Sequence, residues 1–363
     1  MNKMKTLNVA MIGYGFMGRA HSNAFHQVGR FFDIPYDIRL KVICGRQRSK
    51  AASMAKQWGW EEVETDWHAV VAHKDIDLVD ICSPNHLHAP IAIAAAQAGK
   101  IVLCEKPLAM SLAEAESMAR AAHRAPTLVW FNYRRIPAVV LAKRLVDEGR
   151  LGTVYHYRAT YLQSWAADPA LPDAWRFHRS EAGSGAMGDL LAHSVDLALM
   201  LNGPIKELSS LIKTFVPGRE VDDAVLAMAR FANGSIGSFE ATRFAIGCRN
   251  RNYFEIHGEK GALRFDLEDM NHLEFYDAND SQAIVGSHSI LVTGPGHPYV
   301  DHYWPPGHTI GYEHTFISAL ADFLDCLSAG RRFRPDFDDA VEVQKVLGAV
   351  EESAATKNWI TIG

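Results

Sequence analysis

A glycine-rich turn follows the first apolar segment of this 363-residue chain. Residues 7–12 are mostly apolar, Gly13, Gly15 and Gly18 follow, and a stretch with helical spacing of apolar residues comes next. In such a turn the first glycine permits a tight bend, the second lets the backbone approach a phosphate, and the third allows close packing of helix on strand. Free N–H groups at the start of that helix face the anion. The pattern predicts a dinucleotide-binding turn.

Short apolar segments alternate with helix-like segments over residues 7–131. This alternation is typical of βαβ units in a parallel sheet. Ligands of such sheets bind beyond the carboxyl ends of the strands. The predicted strands are 7–12, 40–44, 78–83, 101–105 and 128–131, and the predicted helices are 20–28, 49–58, 89–98 and 112–123.

The pattern changes after Tyr133, where strands with alternating faces predominate. Asn233 and Gly234 between two of them are a strong hairpin signal. We expect a large, mostly antiparallel open sheet with one helical face, and a long loop at 277–311. The predicted strands are 154–162, 205–215, 224–232, 235–243, 253–257, 262–266 and 273–276, and the predicted helices are 137–148, 188–201, 313–329 and 336–355.

Two domains are expected, because 363 residues exceed what one hydrophobic core usually supports. Residues 1–132 are predicted to form an α/β Rossmann domain. Residues 133–363 are predicted to form an α+β domain that binds the substrate, and its C-terminal helix could pack back on the first domain.

Composition and spacing exclude several functional classes. The net charge of −5 offers no electrostatic footprint for nucleic acid, and the apolar segments are too short to span a membrane. Five scattered cysteines, an odd number, are typical of reduced thiols in the cytoplasm. His86 and His88 lack a third ligand at suitable spacing, so we expect no metal.

Lys106 follows the apolar segment 101–105 and precedes Pro107. This places an ammonium group beside a rigid backbone at the same sheet edge as the glycine turn. A lysine that is desolvated or near positive charge has a lowered pKa and can transfer a proton. The alternative is a surface lysine next to a turn proline, since lysines are mostly exposed.

A second polar cluster lies in residues 183–196, where glycines precede a helix that is apolar nearly all round. Asp189, His193 and Asp196 have spacings of i, i+4 and i+7, which would place them on one helix face. A carboxylate beside an imidazole is a common way to fix a catalytic tautomer. The alternative is a solvated face in which Asp189 caps the helix.

Further polar residues complete the predicted binding sets. Arg134 is expected near a ligand oxygen, the alternative being a solvated hinge. The aromatic and polar residues Gln163, Trp165, Trp175 and Arg176 could bind a sugar ring and its hydroxyls, or the tryptophans could belong to the core. The predicted cofactor contacts are Gly13, Gly15, Phe16, Met17, Gly18, Gly45, Arg46, Ser83, Pro84, Asn85, His88, Glu105 and Lys106.

These motifs, in this order, resemble the Gfo/Idh/MocA family of oxidoreductases over essentially the whole chain. The Glu-Lys-Pro element at 105–107 together with Asp189-x-x-x-His193 is specific to that family. Residues 132–135, 160–165 and 175–177 are most similar to its sugar- and inositol-oxidising branch. The resemblance implies a Rossmann domain, a second domain whose open sheet forms an oligomer, often a tetramer, and Lys106, Asp189 and His193 as catalytic residues.

Two positions depart from the expected pattern. The second strand ends in Gly45 and Arg46, without an acidic residue for a ribose 2′-hydroxyl. That arrangement favours NADP, whereas the sugar-oxidising relatives favour NAD, so both cofactors stay open. Leu191 stands where the family usually has glycine, which would narrow the pocket.

The leading hypothesis is an NAD(P)-dependent dehydrogenase that transfers a hydride between a secondary hydroxyl of a sugar, anhydrosugar or inositol and nicotinamide. Either Lys106 or His193 could be the base. The alternatives are an NAD-dependent glycosidase that retains its cofactor and a non-catalytic sugar-sensing regulator. A sugar or polyol is the expected partner, in a homo-oligomer of two or four subunits.

Overall fold

A computed structural model describes residues 4–168 and 171–363. The chain divides into two compact units, each described by itself below. Unit 1 comprises Met1–Asn132 and Tyr312–Glu342, and unit 2 comprises Tyr133–Gly311 and Val343–Gly363. Among the described residues, no helix is both long enough and apolar enough to cross a membrane.

The described elements alternate between strands and helices in the first part of the chain. The strands are β1 (Lys5–Ile12), β2 (Tyr36–Cys44), β3 (Glu62–Glu64), β4 (Leu78–Ile81), β5 (Ile101–Cys104), β6 (Thr127–Val129), β7 (Val154–Leu162), β8 (Ile205–Lys213), β9 (Ala224–Phe231), β10 (Ile236–Thr242), β11 (Arg251–Gly258), β12 (Gly261–Asp266), β13 (His272–Asp277), β14 (Ser287–Leu291) and β15 (Ile360–Thr361). The helices are α1 (Phe16–Phe31), α2 (Arg48–Trp58), α3 (Trp67–Ala72), α4 (His88–Gln97), α5 (Leu112–Ala121), α6 (Pro137–Asp147), α7 (Arg179–Ala182), α8 (Ala192–Asn202), α9 (Tyr312–Ser328) and α10 (Phe337–Thr356).

Unit 1 contains a six-stranded parallel sheet in the order β3-β2-β1-β4-β5-β6. This is the Rossmann order, so the predicted α/β class is confirmed. Ile12 pairs with both Cys44 and Ile81, and Ile81 pairs with Cys104. The four central strands therefore end at one level, which brings the residues after them to a common edge.

The central strands β4 and β5 of unit 1 are buried on both faces, as expected for a parallel sheet covered by helices. All four residues of β4 are buried, and one of them is Asp80. Helix α9 packs on α1 within this unit. The sequence pattern did not indicate β3 and α3, because three and six residues are too few to show a period.

Unit 2 contains a nine-stranded sheet in the order β14-β13-β12-β11-β7-β10-β9-β8-β15. Among the described strand pairs of this sheet, only β7 and β10 are parallel, so the prediction of a mostly antiparallel sheet is confirmed. The predicted hairpin between β9 and β10 is also confirmed, with Gly234 at a φ of 90°. In β9 every second residue is buried, which leaves one face of that strand exposed.

Two predictions for unit 2 are wrong in detail. Residues 277–311 include β14, which pairs with β13 along five residues. This edge strand is mostly exposed and polar, so its sequence lacks the apolar alternation that marks a strand. The predicted helix at 188–201 is a π-helical segment, Met187–Leu191, followed by α8.

Candidate active site

The glycine turn of unit 1 has the geometry that a dinucleotide requires. Gly13 has a φ of 120°, and a Cβ there would lie 2.4 Å from the Cys82 carbonyl oxygen. A Cβ at Gly18 would lie 2.5 Å from the Gly13 carbonyl oxygen, whereas a Cβ at Gly15 would meet nothing within 4 Å. Gly13 and Gly18 thus permit close approach of neighbouring main-chain atoms within the protein. Gly15 leaves open space at the start of the helix.

Helix α1 begins directly after Gly15 with neither an acidic residue in its first turn nor a side-chain cap among the described residues. Its first N–H groups and the positive end of its dipole are therefore suited to an anion. The turn fits the pyrophosphate of NAD on these grounds. Phe16 is exposed at the helix start, where its ring stacks on Tyr312, and Met17 follows it.

The end of β2 places Gly45 and the exposed Arg46 at the same edge. The Tyr14 ring covers Gly45 so closely that a Cβ there would lie 2.0 Å from a ring carbon. The Tyr14 hydroxyl also accepts a hydrogen bond from the Gln47 N–H at 3.3 Å. A side chain at position 45 is therefore excluded unless Tyr14 moves.

The residues after β4 are tied to those after β5 by His88. Its Nε2 lies 3.0 Å from the Ser83 carbonyl oxygen and its Nδ1 lies 3.0 Å from the Pro107 carbonyl oxygen. Burial lowers the pKa of His88, so the neutral ring donates to one of these carbonyls. Both ring nitrogens of His88 thus contact the protein, so His88 would act on the cofactor by positioning the two loops that it connects. Pro84 and the buried Asn85 lie in the first of these loops.

Lys106 lies at the carboxyl end of β5, as predicted, and is half-buried. Its peptide bond to Pro107 is cis. Its backbone N–H donates to the Glu105 carboxylate at 3.1 Å. The segment that carries Lys106 is thus held through main-chain atoms on both sides of the lysine.

In unit 2 the π-helical segment Met187–Leu191 carries Asp189, and α8 carries His193. The N–H groups of Gly185 and Met187 donate to the two carboxylate oxygens of Asp222 at 2.6 and 2.7 Å. Asp222 therefore caps this segment, and Asp189 does not. A Cβ at Gly185 would lie 1.8 Å from the Asp222 carbonyl oxygen, so the glycine is required for close approach.

Asp196 is the third polar residue of this segment. Its carboxylate forms a buried ion pair with Arg134, with Nη2 donating at 2.6 Å and Nε at 2.9 Å. The pair links the start of unit 2 to α8. Because Arg134 is engaged in this way, its proposed contact with a ligand oxygen stays a prediction.

Asp189 forms an ion pair with Arg243, whose Nη2 donates at 2.8 Å. The Arg243 guanidinium is fully buried and lies 5.0 Å from the centre of the Trp165 ring. Its Nε and Nη1 have no hydrogen-bond partner among the described residues. Arg243 thus holds the Asp189 carboxylate beside a residue predicted to bind sugar.

A chain of hydrogen bonds runs beside His193. The Tyr133 and Tyr161 hydroxyls lie 2.9 Å apart, and Tyr161 donates to the Asn250 amide oxygen at 2.8 Å. Gln163 donates to the same oxygen at 2.6 Å and accepts from the Trp165 indole at 2.7 Å. The His193 ring lies 4.5 Å from the Tyr133 ring, between centroids. The Tyr161 ring lies 5.9 Å from the same imidazole, between centroids, so the two tyrosines connect His193 to the amides of Asn250 and Gln163.

Two other predicted sugar contacts lie in the loop after residue 171. The Arg176 guanidinium lies 4.5 Å from the centre of the Trp175 ring, and both residues are half-buried. The neighbouring Phe177 packs on Trp165, with ring centroids 5.7 Å apart. Leu191 is fully buried, so the core of unit 2 accommodates the larger side chain at this position.

Sequence reasoning missed Asp222, Arg243 and Asn250 in this cluster. Asp222 and Arg243 are charged residues near the ends of apolar strands, and that placement was the one available signal. Their partners are 35 or more residues away along the chain, so no local spacing marks the pairs.

Two family profiles match this chain. One is described as an oxidoreductase family with an NAD-binding Rossmann fold and matches residues 7–133. The other is the GFO/IDH/MocA C-terminal domain and matches residues 139–264. Together they cover parts of both compact units.

Characterised relatives match over nearly the full chain. Levoglucosan dehydrogenase from Pseudarthrobacter phenanthrenivorans is 41% identical and is matched over 99% of both chains. The structure of levoglucosan dehydrogenase in complex with NADH and levoglucosan has a TM-score of 0.97 at 42% identity, over 99% of this chain and 100% of that one. An oxidoreductase domain protein from Kribbella flavida has the same TM-score at 47% identity, over 99% of this chain and 100% of that one.

The family profiles and the full-length relatives agree with the Rossmann strand order of unit 1 and the fold of both units. The chain belongs to the Gfo/Idh/MocA family and is an NAD-binding oxidoreductase of the sugar and inositol dehydrogenase type.

Proposed function

We propose that this enzyme oxidises a secondary hydroxyl of a sugar, anhydrosugar or inositol with a nicotinamide cofactor. The observation that supports this substrate class is the hydrogen-bonded chain that begins beside His193 at Tyr133 and Tyr161 and continues through the amides of Asn250 and Gln163 to the Trp165 indole. Aromatic faces suit the apolar side of a sugar ring, and amides suit its hydroxyls. Relatives named levoglucosan dehydrogenase and inositol 2-dehydrogenase support the same class.

We assign Lys106, Asp189 and His193 as the catalytic residues. Bound nicotinamide supplies the hydride acceptor, and the protein supplies orientation and a base. His193 accepts the hydroxyl proton, and Lys106 donates a hydrogen bond to the same oxygen and stabilises its developing charge. Asp189, held by Arg243, orients these groups.

Cofactor preference is a separate question within this proposal. The NADH complexes of levoglucosan dehydrogenase support NAD, whereas Arg46 at the end of β2 offers a charge to a 2′-phosphate. We propose that NAD is the working cofactor and that Arg46 still permits NADP. The test is the Kd of both reduced cofactors for the wild type and for Arg46→Asp. Arg46→Asp is expected to weaken NADPH about 10-fold or more and to leave NADH bound. If Arg46→Asp and the wild type bind NADPH with the same Kd, Arg46 does not contact the 2′-phosphate.

We further propose that the exposed face of the nine-stranded sheet joins copies of this chain into a dimer or tetramer. Leu211 and Leu226 are paired neighbours on β8 and β9, with 70% and 50% of their surface exposed. Met228 and Ile236 extend the same apolar face. Light scattering would report the mass, and Leu226→Arg with Met228→Arg would give monomers. An unchanged mass would exclude this face as the interface.

The experiment that tests the activity uses purified enzyme, NAD and NADP in parallel, and a panel of levoglucosan, inositols, glucose and related sugars. Lys106→Met is expected to lower kcat about 1,000-fold while NADH still binds, as expected for loss of a positioned proton-transfer group. Lys100→Met is the matched control, since it removes a buried lysine at the opposite end of β5. Full activity of Lys106→Met would refute the assignment.

The same assay separates the other functions. Net formation of reduced cofactor supports the dehydrogenase. Bond cleavage without net reduction would indicate a glycosidase that retains its cofactor. Sugar binding without either reaction would indicate a regulator. We also infer a reducing compartment, the cytoplasm, in which the buried thiols of Cys44 and Cys104 stay free.

A further inference from the structure

A fully buried charged network lies behind the Lys106 segment and is not used in the mechanism above. His21 lies on α1, three residues after the last glycine of the turn. Its Nδ1 lies 2.9 Å from a carboxylate oxygen of Asp80, and its Nε2 lies 2.9 Å from one of Glu105. One imidazole therefore connects α1, β4 and the end of β5, all within unit 1.

A protonated imidazole fits both hydrogen bonds of this network and balances the charge of the carboxylates. The His21 side chain has no exposed surface, and the two carboxylates have 0% and 7%. Two buried carboxylates without a cation would be strongly unfavourable, and a ring that donates from both nitrogens compensates both. Burial by itself opposes protonation, but the charge of Asp80 and its hydrogen bond raise the pKa of His21 well above its ordinary value.

The far ends of the network are also anchored. The Trp130 indole donates to the other oxygen of Asp80 at 2.9 Å, and its ring packs on the His21 ring with centroids 4.2 Å apart. The other oxygen of Glu105 accepts the backbone N–H of Lys106 at 3.1 Å. The Glu105 N–H donates to the Ile81 carbonyl of the neighbouring strand. Each carboxylate is thus fixed at both oxygens.

Two other uses of this network are less well supported. His21, Asp80 and Cys82 are one group of potential metal ligands, with ligand atoms within 4.8 Å of one another. However, Nδ1 already contacts Asp80 at hydrogen-bond distance, and burial raises the pKa of the Cys82 thiol to about 12, which disfavours a thiolate. Stability alone does not require the network either. Well-packed apolar residues of similar volume often stabilise a folded protein as much as a buried ion pair does, or more.

We propose that His21 is a positioning residue for Lys106: held between Asp80 and Glu105, it fixes the carboxylate that binds the Lys106 backbone N–H, and so fixes where the Lys106 side chain leaves β5. His88 holds the Pro107 carbonyl on the other side. The Lys106 backbone is thereby held at both flanking residues. This inference rests on the proposed catalytic role of Lys106.

The test compares His21→Gln with the matched control Lys100→Met. Lys100 is a buried cation directly before β5, at the end of the strand opposite Lys106, and its ammonium donates to the carbonyls of His73 and Ile76. Three quantities are measured for each: kcat with the sugar KM, the Kd of NADH, and hydrogen exchange of a peptide that spans residues 101–110. Trp130→Phe is a milder variant, because it removes only the outer hydrogen bond to Asp80.

The expected result for His21→Gln is a kcat about 10- to 100-fold lower, because small displacements of a catalytic group have effects of this size. The sugar KM and the Kd of NADH change less than about 3-fold by the same reasoning. Exchange at residues 101–110 becomes faster. Lys100→Met loses stability but retains kcat. Trp130→Phe shows the same direction of change with a smaller loss.

Several results would overturn the inference. One is a folded His21→Gln with unchanged kcat and exchange. Another is a parallel fall of kcat in Lys100→Met, which would indicate a general loss of stability. If His21→Gln does not fold, Trp130→Phe decides, and unchanged kcat and exchange in that variant refute the role. Failure of the proposed function has a different signature, since Lys106→Met itself would then remain active.

Discussion

The two units build their candidate binding residues in different ways. In unit 1 the glycine turn and the strand ends present main-chain atoms, and Gly13, Gly15 and Gly18 lie within six residues. In unit 2 the groups around His193 are side chains from Tyr133 to Asn250, more than 100 residues apart. Unit 1 therefore depends on backbone conformation, and unit 2 depends on long-range pairing of side chains.

The two units should therefore tolerate different kinds of substitution. A main-chain site accepts most side chains but not a Cβ at a crowded glycine. A side-chain site tolerates local backbone change but not the loss of a buried partner. Substitutions at buried partners and at crowded glycines can therefore break or support this contrast.

The strongest test in unit 2 is the buried ion pair of Arg134 and Asp196. Asp196→Ala leaves a guanidinium buried without its counter-charge, so the free energy of unfolding is expected to fall by about 3–5 kcal/mol. Urea unfolding measures the change. The double variant Arg134→Met/Asp196→Leu should recover much of the loss, since it removes both charges. A loss below about 1 kcal/mol, as for a surface pair, would contradict the dependence on buried pairing.

In unit 1, Gly13→Ala and Gly15→Ala form a matched pair. The alanine at 13 meets the Cys82 carbonyl at a positive φ, so stability is expected to fall by about 3 kcal/mol. The alanine at 15 meets nothing, so stability should change little while NADH binding weakens about 10-fold or more. Thermal unfolding and NADH titration separate the two effects. If Gly13→Ala and Gly15→Ala lose the same stability, the difference in the space around the two glycines does not matter for folding.

A substitution at Asn250 in unit 2 should change the affinity for sugar and leave the affinity for NADH unchanged. Asn250→Ala removes the oxygen that accepts from Tyr161 and Gln163, so the sugar KM should rise about 10-fold, equivalent to about 1.4 kcal/mol. The Kd of NADH should stay unchanged. Asn279→Ala in the turn after β13 serves as a control without effect on KM. Equal changes in sugar and NADH affinity would indicate that Asn250 acts on the fold as a whole.

The buried network of His21 is an exception in unit 1, because there side chains carry the structure. A raised pKa in the folded state gives stability that is complete below the unfolded pKa of about 6.5 and is lost as pH rises through the folded pKa. Asp80, Cys82 and Glu105 face the ring, and the Cys82 thiol stays protonated in this range.

Unfolding free energies measured from about pH 7 upward should therefore decline by at most about 1.4 kcal/mol per pH unit from this residue. His21→Gln should flatten that decline, and Lys100→Met should retain it. The same slope in His21→Gln would show that another group titrates.

Local sequence motifs predicted more of the structure of unit 1 than of unit 2. The glycines at 13, 15 and 18 and the apolar segments predicted the parallel sheet and its binding edge, because each βαβ unit shows its own signals over a short stretch of chain. The spacing of Asp189, His193 and Asp196 predicted one shared face. The π-helical segment and the separate partners Arg243 and Arg134 give Asp189 and Asp196 different surroundings. Spacing along a helix cannot reveal a partner that arrives from another strand.

The sequence alone determined the fold class, the dinucleotide turn, the family and the position of Lys106 at a strand end, because each depends on neighbours along the chain. Only the tertiary structure decided that Asp222 caps the π-helical segment, that Arg243 holds Asp189, and that His21 joins Asp80 to Glu105. Those choices depend on which buried polar groups meet across the fold. Burial makes an unpaired charge costly, and pairing at a distance leaves no local pattern.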